Sequence, residues 1–155
     1  MVRLAAGRHQ LPHLLGRVMD TWMYQVSCQT DSATLRVMRE LAHFAARAGG
    51  AVDEVADDVL LAVGEILSNA YLHAYPNTVG SLEIDYRLIG GRLYIDVQDH
   101  GGPLMGSIEV PNELPPLGMS RGLGLYAVGQ LMDNVEVKLN DDGDGVAVQM
   151  SKDLT

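Results

Sequence analysis

The stretch that decides the reading is DEVADDVLLAVGEILSNAYLHAY, residues 53–75. Its apolar residues recur at helical spacing, and Asp53, Glu54, Asp57 and Asp58 occupy the first turns, where acids complement the positive end of the helix dipole. The spacing predicts a helix from Asp53 to near Ala74, closed by Pro76. On a wheel of about 100° per residue, Asp58, Glu65, Asn69 and His73 share a stripe about 80° wide, while Val59, Val63, Ile66, Leu67 and Ala70 lie on the other side. One side packs and the other is free for a ligand. A solvated helix face explains many such stripes. Glu65 and Asn69, one turn apart, add a carboxylate able to act as a base beside an amide oxygen able to hold a Mg²⁺ that bears phosphates.

Working upstream, Leu35, Met38, Leu41, Ala42, Ala45 and Ala46 predict a helix capped by Asp31 or Ser32 and ended by Gly49-Gly50. Trp22–Cys28 reads as a strand, with the lone Cys28 buried in it. Residues 1–20 carry weak helical spacing broken by Pro12 and Gly16, and stand as an N-terminal arm or docking helix. Downstream, Ser81–Ile89 and Arg92–Gln98 alternate apolar and polar residues around Gly90-Gly91, a hairpin. A loop rich in Gly and Pro follows from Asp99 to Arg121, long enough to suggest a lid or binding loop. A helix over Gly122–Met132 and a last hairpin, Val135–Leu139 with Val146–Met150, complete the order. The pattern β α α β β loop α β β predicts an α+β two-layer sandwich, a mixed, mostly antiparallel sheet with helices on one face. Residues 21–155 form a single domain in this reading.

Composition agrees with a folded chain: 155 residues, 47% hydrophobic and 20% charged. A net charge of -9 disfavours nucleic acid as a partner and suits a basic protein surface, or serves solubility alone. The N-terminus lacks a signal-peptide apolar stretch and no run has the length of a membrane span, so a cytoplasmic location and no membrane partner are expected.

Two more constellations carry chemistry. In Asp96-Val-Gln-Asp99-His-Gly101-Gly102-Pro103 an acid ends a strand before glycines; it could accept a hydrogen bond from an exocyclic amine, though Asp-X-Gly-Gly is often a plain turn. In Ser120-Arg121-Gly122-Leu123-Gly124-Leu125 glycines stand where a loop becomes a helix, a place where backbone N–H groups hold phosphate or where helices pack tightly. No Walker loop or full Rossmann fingerprint occurs.

Together these three segments resemble the GHKL (Bergerat-fold) ATPases. Glu65 to Tyr75 is similar to their N box, Asp99-His-Gly101-Gly to the G1 box, and Gly122-Leu123-Gly124-Leu to the G2 box. His-Ala-Tyr at the N-box end is most similar to the anti-sigma-factor serine/threonine kinases, over residues of about 30 to 150. The resemblance implies Glu65 as general base, Asn69 as Mg²⁺ ligand, and Asp99 as the partner of the adenine amino group of ATP. It places Gly101 beside the base and Gly122, Leu123 and Gly124 at the phosphates, with Arg121 as a candidate for stabilising transferred charge. His73 is read as structural and His100 as a loop residue. Pro103 departs from the family, which has glycine there, and stiffens the lid. Histidine-kinase catalytic domains usually have Asn where this chain has Glu65, and large clamp ATPases carry a transducer domain for which this chain has no room. The implied activity is phosphorylation of a Ser or Thr on a small antagonist protein, with a sigma factor or similar regulator as the second partner and a homodimer as a further expectation. The rival expectation is a non-catalytic, nucleotide-gated module that sequesters its partner.

Overall fold

The computed structural model describes residues 3–7, 21–76, 78–102, 109–116, 122–140 and 143–155. The elements are β1 (Arg3–Gly7), β2 (Trp22–Gln29), α1 (Ser32–Ala48), α2 (Asp53–Asn69), a π-helical segment (Ala70–Ala74), β3 (Ser81–Ile89), β4 (Arg92–Asp99), α3 (Leu123–Leu131), β5 (Asn134–Leu139) and β6 (Val146–Asp153). They build the expected α+β sandwich around a six-stranded sheet of order β1-β2-β3-β4-β6-β5.

The sheet is not mixed: every neighbouring pair among the described strands is antiparallel. The reason is the last hairpin. β5 returns from α3 in the direction of β4, but β6 slots between the two and bonds both in antiparallel register, Asp96 opposite Gln149 and Glu136 opposite Gln149. β3 and β4 join through Gly90 and Gly91, whose φ values of 63° and 79° suit a two-residue hairpin turn.

Alternation along the strands separates the faces. Leu82, Ile84, Tyr86, Leu88, Leu93, Ile95, Val97 and Met150 are buried on one face and meet Met38, Ala42 and Ala46 of α1 and Val59, Val63 and Leu67 of α2. The side chain of Asp31 caps α1 by accepting from the backbone of Ala33 and Thr34, and the Thr34 hydroxyl bond first, with these backbone bonds, holds its carboxyl below the usual carboxylate range. Cys28 is buried in β2 as expected, and burial pushes its thiol up. Thr30 then ties β2 to the start of β3: its hydroxyl accepts from Gly80 N at 2.8 Å and its own N–H donates to Gly80 O.

Two differences from the sequence reading concern element ends. β1 is a strand rather than an arm or helix over residues 3–7, and it pairs with β2 from Arg3↔Ser27 to Gly7↔Met23; the apolar spacing from Leu11 to Met19 lies outside the described residues. The α-helical ladder stops at Asn69, five residues short of the expected end, and continues as π-helix to Ala74. Among the described residues no helix is long and apolar enough to cross a membrane.

Candidate nucleotide site

α2 presents Glu65, exposed, and Asn69, half-buried, on one face. The first turn of α3 comes directly against them. A Cβ added to Gly124 would stand 2.8 Å from Glu65 Oε2 and 3.5 Å from Asn69 Nδ2, so the carboxylate and the amide occupy space that any other residue would claim. Gly122 caps α3 in the left-handed region, φ 91°, without a side-chain cap bond. The N–H groups of that first turn therefore have no side-chain cap and lie at the positive end of the helix dipole. The structure thus brings Gly124 against Glu65 and Asn69, with Gly122 and Leu123 just before it at the start of α3. Arg121 and Pro103 lie outside the described residues.

Asp99 closes the other end. It is 8% exposed at the end of β4, and its Oδ1 accepts from Gly101 N at 3.1 Å and Val146 N at 3.3 Å. Among the described residues Oδ2 receives no donor. Gly145 crosses directly above: a Cβ there would meet the Asp99 backbone oxygen at 2.0 Å and Oδ1 at 2.8 Å. Asn140, buried in the β5–β6 turn, donates through Nδ2 to the Asp99 carbonyl at 3.0 Å and accepts Asp144 N on Oδ1 at 3.1 Å. Gly102 N donates to Asp144 O at 2.7 Å. The turn read from sequence as a simple hairpin loop is therefore the clamp that holds Asp99.

A third contact joins the two ends. Gly101 packs on the π-helical segment, where a Cβ would collide with the backbone of Ala74. Tyr75, the next residue, accepts His100 N–H at 2.7 Å and donates to Ser81 O at 2.8 Å, with its ring over Gly80. π-helical insertions frequently sit at functional sites; this one sets the direction in which Tyr75 leaves α2. His73 is exposed.

Asp58 leaves the ligand stripe that the wheel assigns to it. Lys152 Nζ lies 3.1 Å from Asp58 Oδ2 and 2.6 Å from the Leu131 carbonyl, so this acid ties α2 to β6 and the end of α3. Asn140, Gly145 and Val146 were invisible as site residues in sequence, where Asn140 to Gly145 carries turn signals alone.

The residues fit a nucleotide with magnesium. The space at Gly124 is one that a side chain would fill, the uncapped first turn of α3 lies against a carboxylate and an amide, and the buried carboxylate keeps one acceptor oxygen that an amine could use. A lone amide oxygen with phosphates and water is an ordinary Mg²⁺ environment.

Residues 28–152 match the family described as histidine kinase-like ATPase domain. The Anti-sigma F factor of Caldanaerobacter subterraneus subsp. tengcongensis is 31% identical over 118 residues, 72% of this chain and 79% of that protein. Serine-protein kinase RsbW of Bacillus thuringiensis is 34% identical over 124 residues, 72% of either chain. Among solved structures, the histidine kinase domain of the Erythrobacter litoralis EL346 blue-light activated histidine kinase aligns with a TM-score of 0.54 at 23% identity, a likeness of fold, over 77% of this chain and 61% of that one. A second structure of the same kinase aligns at 27% identity and a TM-score of 0.52, with 32% of that chain spanned.

Proposed function

Because the chain belongs to the histidine kinase-like ATPase domain family, we propose that it is a Mg-ATP-dependent serine/threonine protein kinase of the anti-sigma-factor type, which phosphorylates a small antagonist protein and regulates transcription by partner switching. The observation that carries this reading is the placement of Glu65 Oε2 and the Asn69 amide against Gly124 at the start of α3. The names of its relatives, an anti-sigma F factor and a serine-protein kinase, support the same assignment.

Asp99 Oδ2 would accept the adenine amino group while Oδ1 stays bound to the Gly101 and Val146 N–H groups. Leu123 and Gly124 N–H, with Gly122 turned left-handed to open the approach, would hold the phosphates. Mg²⁺ supplies charge neutralisation between phosphate oxygens when bound, and Asn69 would hold it through Oδ1. Glu65 would take the proton of the attacking Ser or Thr hydroxyl as its oxygen bonds to the γ-phosphorus and the β–γ bridging bond breaks toward ADP. Positioning and electrostatics account for most of the rate in such transfers. Arg121 would stabilise the transferred charge.

The test is phosphate transfer to the antagonist protein together with calorimetric ATP binding. Glu65→Gln is expected to abolish transfer and keep ATP binding, and Asp99→Asn to lose both. Binding with no transfer by the wild type would favour the nucleotide-gated binding module instead.

A further inference from the structure

α3, which begins with the glycines proposed to hold phosphate, has few means of holding its own position. It is nine residues long, LGLYAVGQL, with no side-chain cap at its N-terminus and no basic residue in its last turn. A helix of that length is marginal in water without outside support. Packing of the fully buried Val128, with Leu125 and Leu131, chooses which side of α3 meets the core. Apolar packing is non-directional, so it fixes that side more firmly than the position along the helix axis.

Two contacts with α2 define the axial position, one at each end. At the start, a Cβ added to Gly124 would stand 2.8 Å from Glu65 Oε2. At the end, Lys152 of β6 donates to the Leu131 carbonyl at 2.6 Å, an oxygen that the helix itself leaves unpaired, and brings a positive charge to the negative end of the dipole. The same Nζ lies 3.1 Å from Asp58 Oδ2 on α2, and the lysine side chain is 15% exposed. Asp58 stands seven residues before Glu65, and Leu131 seven after Gly124. On either helix that is about two turns and about 10 Å, so α3 runs antiparallel along α2 and the two contacts match in spacing. A slip of one turn would bring Ala127 or Val128 against Glu65, where even one methyl group is crowded.

We propose that Lys152 is a positioning residue for the phosphates of the nucleotide: through Leu131 and Asp58 it locks α3 in the register that sets Gly122, Leu123 and Gly124 beside Glu65 and Asn69. Fixing register is the best-attested use of an ion pair shielded from water. Lys152 acts at a distance of about 10 Å from Gly124, through the length of the helix. β6 also carries Val146, whose N–H holds Asp99 Oδ1, so a single strand sets both ends of the site. The ligand rests on the nucleotide reading above; the register of α3 does not.

Lys152→Met keeps the apolar stem and removes the charge. In separate calorimetric titrations with Mg-ATP and with adenosine, it is expected to bind ATP about tenfold more weakly and adenosine as the wild type does, because the Asp99 end is untouched. Lys152→Arg, whose fork can reach both oxygens, is expected to restore ATP affinity. Asp58→Asn keeps the Leu131 bond and removes the charge from α2; a loss of about threefold for ATP alone is expected, and this variant decides the matter should Lys152→Met fail to fold. In the nucleotide-free protein the Gly124 amide NMR signal should move in Lys152→Met and return toward its wild-type position in Lys152→Arg. Equal losses for ATP and adenosine in folded Lys152→Met, wild-type ATP affinity in both Lys152→Met and Asp58→Asn, or an unmoved Gly124 amide would overturn the proposal. A wild type that binds no ATP would sink the nucleotide site alone, and the Gly124 amide would still decide the register.

Discussion

At Tyr75 one phenol oxygen accepts from His100 N–H and donates to the Ser81 carbonyl, while the ring covers Gly80. Each such bond contributes about 0.5–1.5 kcal/mol net; the first holds the backbone that follows Asp99 and the second ties it to the start of β3. Tyr75→Phe keeps the ring and removes the bonds. We expect ATP affinity by calorimetry to fall about three- to tenfold with the melting temperature little changed; unchanged affinity would show that the clasp does not position the adenine end. Gly124→Ala separates fold from chemistry in the other direction. Alanine favours a helix over glycine by up to about 1 kcal/mol, yet its Cβ would press on Glu65 Oε2 at 2.8 Å. The melting temperature should hold or rise while phosphate transfer drops at least about tenfold. Transfer at the wild-type rate would mean that Glu65 does not act from this position.

Among elements, the π-helical segment is where sequence periodicity stops being informative. Ala70–Ala74 carries no breaker and continues the wheel of α2, so nothing local marks the change of ladder. The cause is tertiary: Ala74 must meet Gly101, and Tyr75 must reach His100 and Ser81. Deleting the exposed Leu72 would restore one α-helical spacing and turn Tyr75 by about 100°. The expected result is a helical protein by circular dichroism whose ATP binding is lost; retained binding would make the π-segment incidental. Elsewhere local signals sufficed. Asp31 before an apolar-periodic run and Gly90-Gly91 between alternating runs named the α1 cap and the β3–β4 turn. Glu65, Asn69, Gly122 and Gly124 were legible because their chemistry and spacing lie within two short motifs. Asp58 was misplaced and Asn140, Gly145 and Val146 were missed for one reason: their partners, Lys152 and Asp99, are distant in sequence, and no pattern of spacing encodes them.

Over the whole molecule, the sheet face away from the helices sets carboxylates against each other. Asp85 stands directly opposite Asp96, which is 7% exposed and accepts Gln149 Nε2 at 2.7 Å. Asp85 Oδ1 is buried without a partner among the described residues. Burial first, then the charge on Asp96, raises the Asp85 carboxyl above its ordinary range, against a hydrogen bond from Gln25 and the charge of Arg87. A carboxyl raised by folding contributes stability below its unfolded value, about pH 4, and loses it as pH climbs through the folded value. Asp85→Asn should therefore match the wild type in acid and melt higher at neutral pH, with the gap opening across that window. A gap of constant size from acid to neutral pH would remove the Asp85–Asp96 pair as its cause. The position of β6 between β4 and β5 has a further consequence, for the nascent chain. Synthesis delivers the helices and the β3–β4 hairpin first, yet Asp99 gains its clamp only when Asn140, Gly145 and Val146 have emerged. If Asp99 receives adenine as proposed, a polypeptide still on the ribosome can hold its helices together while being unable to grip the nucleotide, and competence arrives in a single late event.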